Sequence, residues 1–329
     1  MTLSTRCRRL MTACLPSLAA ACTSGKPATA DAKPDPADSG DSGAHDTAPP
    51  TSAIHLVYMG SGASGDVGQD TDTHLIYGAT SQDGIHFTED GLLFTSAAGN
   101  DPDIFQSETG FTLFTSNGPT LNYATSTGLT TTFTTGTTFA WFGGGGPSTV
   151  NIDGVQQVFF CGYGGIKVSA LQTEPPGLGA FSDAFDNPHG SGFACDPSVI
   201  KISDTDYRMF YHWSPSVEAL PWKHVLYAAS STDGKIFTPI DGIIREQASV
   251  PGAVFRDGVI YLYAVDGLGG GNPDEDSGHT PGDSAKPDEP TGLLVGISND
   301  LGKTWDFQPV LIDDAEKPNA YDPDPILAP

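Results

Sequence analysis

The sequence predicts an all-β chain folded as a five-bladed β-propeller, closed by pairing of its N- and C-terminal strands. Three observations predict it. Of 329 residues, 40 are Gly and 26 are Pro, and only 17% are charged, a composition that suits many short strands and turns rather than helices. Two short motifs recur along the chain after residue 54. Their copies lie about 50 residues apart, the length of chain that four antiparallel strands with their turns require.

The elements follow in order. Arg6, Arg8 and Arg9 precede a short apolar stretch, Leu10 to Ala21, and the small-residue run Leu18-Ala19-Ala20-Ala21-Cys22 ends it. Basic, apolar and small residues in that order read as an export signal over 1–22. It resembles a bacterial lipoprotein signal, in which Cys22 is lipidated and becomes the mature N-terminus. That pattern usually has its Leu three residues before the cysteine and here it stands four before, so an ordinary secretory signal is the other reading. Residues 23–53 carry no large apolar side chain. Such a segment buries too little surface to offset its ordering entropy and is expected to be a disordered acidic, Pro-rich tether.

The folded part then spans 54–329. Its first repeat is an apolar strand ending in Ser-x-Asp-Gly-x-x-aromatic, seen as Ser81-Gln82-Asp83-Gly84 to Phe87 and as Ser231-Thr232-Asp233-Gly234 to Phe237. Ser298-Asn299-Asp300-Leu301-Gly302 to Trp305 is one residue longer, and Ser126 to Phe133 is a worn copy without its Asp. The second repeat is a Pro-led strand, a turn and an aromatic-rich strand, with its proline at 102, 147, 197, 251 and 323. The steps are 45, 50, 54 and 72, and the last holds an acidic Gly/Pro insertion over 267–290. The unit Asp322-Pro323-Asp324 has no partner strand after it. Ile54 to Tyr58 and Leu75 to Tyr77 supply the missing partners from the other end, which closes a fifth blade and removes exposed sheet edges.

On these units, residues 54–329 resemble the five-bladed propeller superfamily of glycoside hydrolases that includes arabinanases, β-xylosidases, invertases and levansucrases. The Ser-x-Asp-Gly turns are similar to the Asp boxes of sialidases. The resemblance implies that the Asp-Pro strands are innermost and that their starts line a funnel. It implies a catalytic base at Asp322 and a pKa-modulating carboxylate at Asp101. The acid Glu that the superfamily carries on its third blade has no counterpart, because Gly145-Gly146-Pro147 stands there. Asp196, leading the fourth blade, faces the same funnel and is the candidate to replace it, since hydrolysis needs one protonated and one ionised carboxyl. His212, Trp213, Trp222, Asp103 and Asp324 are the candidate substrate contacts, with packing over a loop the other reading of the two tryptophans and a satisfied interior histidine that of His212. An Asp before Pro also caps turns by accepting backbone N–H bonds, so a purely structural role stays open at each position.

Function classes narrow accordingly. A net charge of −25 repels polyphosphate, so nucleic acid is not an expected partner. No run of about 18 apolar residues crosses a membrane. Arg208, Arg245 and Arg256 are too few and too scattered for the arginine cluster that a sialidase uses. No zinc-type spacing or phosphate-binding glycine loop occurs. Cys161 and Cys195 lie on neighbouring blades and are either a disulfide or two separately packed thiols. The acidic loops 66–72 and 274–276 either hold Ca²⁺, the one cofactor with a candidate site, or are solvated surface. The expected protein is a monomer in the cell envelope or secreted, anchored through Cys22, with a glycan or polysaccharide as partner. It is either a glycosidase acting on a neutral glycan or a non-catalytic carbohydrate- or surface-ligand-binding propeller that lacks the acid.

Overall fold

In the computed structural model the described residues are 52–60, 73–97, 100–117, 119–141, 145–173, 176–216, 223–266, 292–313 and 320–328. Cys22, the signal, all but the end of the tether, the two acidic loops and Trp222 lie outside them. The first strands, β1 (Ile54–Gly60), β2 (Thr73–Ser81) and β3 (His86–Ala97), belong to blade I. Blade II is β4 (Asn100–Ser107), β5 (Gly110–Asn117), β6 (Thr120–Ser126) and β7 (Thr134–Ala140). Blade III is β8 (Ser148–Ile152), β9 (Val155–Gly162), β10 (Gly165–Thr173) and β11 (Pro176–Asp186). Blade IV is β12 (Phe193–Ser203), β13 (Asp206–Ser214), β14 (Val225–Ser231), β15 (Thr238–Pro239) and β16 (Arg245–Glu246). Blade V is β17 (Ala248–Arg256), β18 (Val259–Asp266), β19 (Leu293–Ser298) and β20 (Asp306–Pro309).

The chain then returns to where it began. The short β21 (Leu311–Asp313) runs parallel to β3, and β22 (Ala320–Leu327) pairs antiparallel with β1, from Ile54↔Leu327 to Gly60↔Ala320. Blade I is therefore built from both ends of the propeller, as the orphan Asp322-Pro323 unit predicts.

The core is divided into five clusters, one between each pair of adjacent blades. Strand alternation explains this, because successive side chains point to opposite faces of a sheet. In β1, Ile54, Leu56 and Tyr58 enter the cluster shared with blade V, while Val57 and Met59 enter the one shared with blade II. Likewise Phe159 packs toward blade IV, and Val158 and Phe160 toward blade II. Second strands that feed two interfaces carry apolar side chains on both faces, which is why Leu56 to Met59, Val158 to Phe160 and Ile260 to Tyr263 read as hydrophobic runs.

The Ser-x-Asp-Gly turns are self-contained. Asp83 Oδ1 accepts the Ser81 hydroxyl and the N–H groups of Ile85 and His86, while the N–H of Gly84 donates to Ser81 Oγ. Asp233 and Asp300 repeat the arrangement. The aromatic that follows is buried in two copies, Phe87 and Phe237, and Trp305 packs edge-on against Phe210.

One expectation needs correction. The Asp-Pro pairs do not begin strands: β4, β12 and β22 start one to three residues earlier, and the ladder shifts around each pair. The residue before each proline has positive φ: Asp101 at 50°, Gly146 at 57°, Asp196 at 46°, Val250 at 48° and Asp322 at 48°. Proline has no N–H for the ladder, and a left-handed residue beside it makes a bulge that turns one side chain out of the sheet plane. Asp tolerates this conformation better than most residues, whereas Val250 is β-branched and strained there.

Candidate functional site

Five left-handed residues, one per blade, surround a single pit. Asp101, Gly146, Asp196, Val250 and Asp322 line it with the prolines that follow them and with Ser198 and Asp324. The three carboxylates expected to converge thus do so. They sit in an upper tier, partly exposed to the pit.

The lower tier is formed by the residue after each proline: Asp103, Ser148, Ser198, Gly252 and Asp324. Four junctions between inner strands are clamped by its side chain. Asp324 Oδ2 accepts the N–H of Ile104 (2.6 Å), Asp103 Oδ1 that of Thr149 (3.0 Å), Ser148 Oγ that of Val199 (3.0 Å), and Ser198 Oγ that of Ala253 (2.9 Å). The fifth junction has neither partner, because Gly252 has no side chain and Pro325 no N–H. There the strands touch instead, and a Cβ on Gly252 would lie 2.0 Å from the Pro323 carbonyl oxygen. Asp103 and Asp324, expected to contact substrate, therefore spend their described hydrogen bonds on holding blades together.

The upper tier repeats this logic in part. The Asp101 N–H donates to the Asp322 carboxylate, and Asp101 Oδ2 accepts the N–H of Gly146 (3.1 Å) and the hydroxyl of Ser116 (2.7 Å). Asp196 is held differently. Its N–H donates to Cys161 Sγ (3.0 Å), and Cys161 on β9 is joined by a disulfide to Cys195 on β12. His212 Nδ1 stands 3.1 Å from Asp196 Oδ2, and the buried imidazole of His212 stacks on His224 with ring centroids 4.4 Å apart and planes 5° from parallel.

Electrostatics follow from this crowding. Burial, and then the charge of Asp196, push Asp101 up to about 6, although Ser116 and the Gly146 N–H pull the other way. Burial, then Asp101 and Asp196, hold Asp322 well above the usual carboxylate range. Crowded carboxylates thus make ionisation of Asp101 and Asp322 harder than that of a free carboxyl.

Comparison with known proteins supplies the next step. No protein-family model matches the chain, and no curated protein is similar to it in sequence. Solved structures do match it. An α-L-arabinofuranosidase from Clostridium thermocellum is similar over 82% of this chain and 92% of its own, with TM-score 0.52 and 16% identity. An endo-1,4-β-xylanase from Bacteroides thetaiotaomicron is similar over 78% and 93%, with TM-score 0.52 and 15% identity. The chain has the five-bladed propeller fold of these glycoside hydrolases.

Against that fold, the glycine pair of blade III takes on meaning. A Cβ on Gly145 would lie 3.1 Å from Asp101 Oδ2 and 4.0 Å from Asp196 Oδ1. The two carboxylates thus flank the point where a side chain at 145 would enter, with these oxygens no farther apart than the sum of those distances, about 7 Å. A Cβ on Gly146 would meet Asp196 Oδ1 at 2.4 Å. Asp196 packs against Gly146, where a side chain would displace it, and leaves room beside Gly145.

Trp213 lies on blade IV, its ring 5.9 Å from that of His189 and its indole N–H donating to the Ser191 carbonyl (3.3 Å). Two contributors escaped sequence reasoning. Ser116 donates to Asp101 from β5, where it pairs with Asn100, and His224 carries the His212 ring from the residue before β14.

Proposed function

We propose that the chain is a glycoside hydrolase that acts on a neutral glycan at this pit, with Asp322, Asp101 and Asp196 as its working carboxyls. The observation that carries the reading is that the carboxylates of Asp101 and Asp196 both face the space beside Gly145, where the resembled superfamily has its acid. Hydrolysis of a glycosidic bond needs a proton for the leaving oxygen and an ionised carboxylate for the attacking water or for direct attack. Neighbouring carboxyls pushed apart in pKa provide both from one residue type. In this reading Asp322, once ionised, is the base that the resemblance implies, Asp196 is the candidate to deliver the proton, and Asp101 contributes to the raised pKa of Asp322. A pit walled by carboxylates favours hydroxyl-bearing ligands over anions. Export and anchoring through Cys22, and action as a monomer, belong to the same proposal and are supported by sequence alone.

The test is a pair of variants assayed with aryl glycosides. Asp322→Asn should lower turnover by more than about 100-fold at every leaving group. Asp196→Asn should do so for poor leaving groups and spare activated ones such as dinitrophenol, which depart without a proton. Wild-type activity in the Asp101/Asp196/Asp322 triple Asn variant would end the reading.

A second reading has its own observation. No carboxyl occupies residue 145, and a propeller that binds glycan without cleaving it needs none. Glycan binding with no product from any glycoside, and affinity in Asp322→Asn changed by no more than a few charge-assisted hydrogen bonds, would favour it.

A further inference from the structure

The disulfide lies against the pit rather than apart from it. Asp196 Oδ1 stands 3.6 Å from Cys161 Sγ and 3.4 Å from Cys195 Sγ. One donor atom from each of Cys161, Cys195 and Asp196 falls within a group spanning 4.8 Å. A fourth donor is close by. Cys195 and His212 are directly opposed across β12 and β13, so their side chains leave the same face. His212 Nδ1 is buried, 3.1 Å from Asp196 Oδ2, and makes no hydrogen bond that meets the angular requirements of one.

We propose that Cys161, Cys195, Asp196 and His212 form, in the dithiol state of the chain, a four-ligand site for a borderline-soft divalent cation such as Zn²⁺. Two thiolates, an imidazole and a carboxylate are a donor set that Zn²⁺ accepts, at about 2.3 Å for sulfur and about 2.0–2.2 Å for nitrogen and oxygen. Around a tetrahedral ion such ligands sit about 3.3–3.8 Å from one another, so Asp196 Oδ1 already stands at the required separation from both sulfurs, and the sulfurs must part once their bond is reduced. The Cα atoms of the two cysteines are 4.9 Å apart, which suits a disulfide and also two thiolates on one ion. The ligands come from β9, β12 and β13, strands fixed by their ladders, so most of the ordering is already done.

The chemistry balances with a phosphine as reductant. The phosphine takes up an oxygen from water and becomes its oxide, the S–S bond breaks, and the two sulfurs leave as thiols. Metal binding then releases both thiol protons. The ion also draws Asp196 away from the pit, a consequence that rests on the hydrolase reading, whereas the site itself does not.

The experiment uses Co²⁺ as a spectroscopic stand-in, added to the whole chain after phosphine reduction and removal of the reductant without air. The expected result is one Co²⁺ per chain, with the visible bands of a tetrahedral ion and a thiolate charge-transfer band, in protein whose near-ultraviolet circular dichroism matches the oxidised form. Oxidised protein should show neither band. Cys161→Ser should abolish the charge-transfer intensity of a two-thiolate site. His212→Ala, which leaves the disulfide available during folding, should weaken Co²⁺ binding by at least about tenfold, the effect of losing one ligand of four. The proposal is overturned if reduced, folded protein takes up no Co²⁺, if reduction unfolds the chain, or if the spectrum survives Cys161→Ser or is indifferent to His212→Ala.

Discussion

Replacing Asp103 by Asn should make the protein more stable at neutral pH, although it removes a charge that accepts two hydrogen bonds. Asp103 is buried, and its oxygens accept the N–H and the hydroxyl of Thr149. Burial outweighs those bonds and raises its pKa from 3.8 to about 6. The sign follows from linkage. Below the unfolded value both states are protonated and nothing is lost. Between 3.8 and about 6 the unfolded chain releases a proton that the folded chain retains, so stability falls as pH rises, and above that window the full penalty persists. Two units at about 1.36 kcal/mol each put that penalty near 3 kcal/mol, before relaxation around the site. Asparagine keeps an oxygen for the Thr149 N–H and offers an N–H₂ to its hydroxyl, so Asp103→Asn should recover about 1–3 kcal/mol at pH 7 and nothing at pH 3.5. It should also ease Asp324, whose carboxyl is held high by burial and then by Asp103. Urea unfolding of both proteins from pH 3.5 to 7.5 measures the difference directly. A variant less stable than wild type at pH 7, or a difference that does not grow between pH 4 and 6, would refute the reasoning.

Four further outcomes are expected. Gly252→Ala drives a methyl into the Pro323 carbonyl at 2.0 Å, where backbone cannot retreat, and should cost roughly 3 kcal/mol or more in urea unfolding. Removing residues 320–329 strips blade I of its inner strand and should lower the thermal midpoint sharply, since each large buried side chain lost is worth about 1.5–3 kcal/mol. Asp90 is raised by burial but lowered further by His55 and Thr80, so its stabilisation is present above the unfolded pKa and lost as pH falls through the folded one; Asp90→Asn should cost about 1–2 kcal/mol at pH 7 and flatten the acid limb below pH 4. Ser116→Ala removes a donor that lowers Asp101, so carboxyl ¹³C titration should find that group above its present value of about 6.

Much of this architecture was legible because its signals are local and periodic. The proline repeat counts the blades, and the unpartnered Asp322-Pro323 unit forces closure on residues 54–60. The convergence of Asp101, Asp196 and Asp322 followed from the same repeat. The bulge did not, since a residue before proline ordinarily adopts extended φ/ψ, whereas all five here have positive φ. The lower clamp was also missed, although its trace is in the chain. The residue after each proline is Asp, Ser, Ser, Gly or Asp, a short acceptor wherever the next blade has an N–H to offer. Glycine appears only where the next blade offers Pro325. The N–H groups of the next inner strand need acceptors, and Asp103 and Asp324 supply them to Thr149 and Ile104.

The ring changes how the three upper carboxylates should be weighed. A left-handed residue is needed in every blade, and Asp is among the few residues that tolerate it, so an Asp before proline has a structural reason to be there. Asp322 and Asp101 also each accept an N–H from the following blade, a second structural reason. Neither residue on its own argues strongly for catalysis. Asp196 is different. Its carboxylate meets His212 and the two sulfurs, and it lies against Gly146, where a side chain would collide with it. Stability alone would be served there by Asn or Gly, which adopt the same backbone without adding a third charge to a group that already resists ionisation. Asp196 is therefore the upper carboxylate that the scaffold explains least, and under the hydrolase reading Asp196→Asn is the variant that should lower turnover of poor leaving groups without lowering stability.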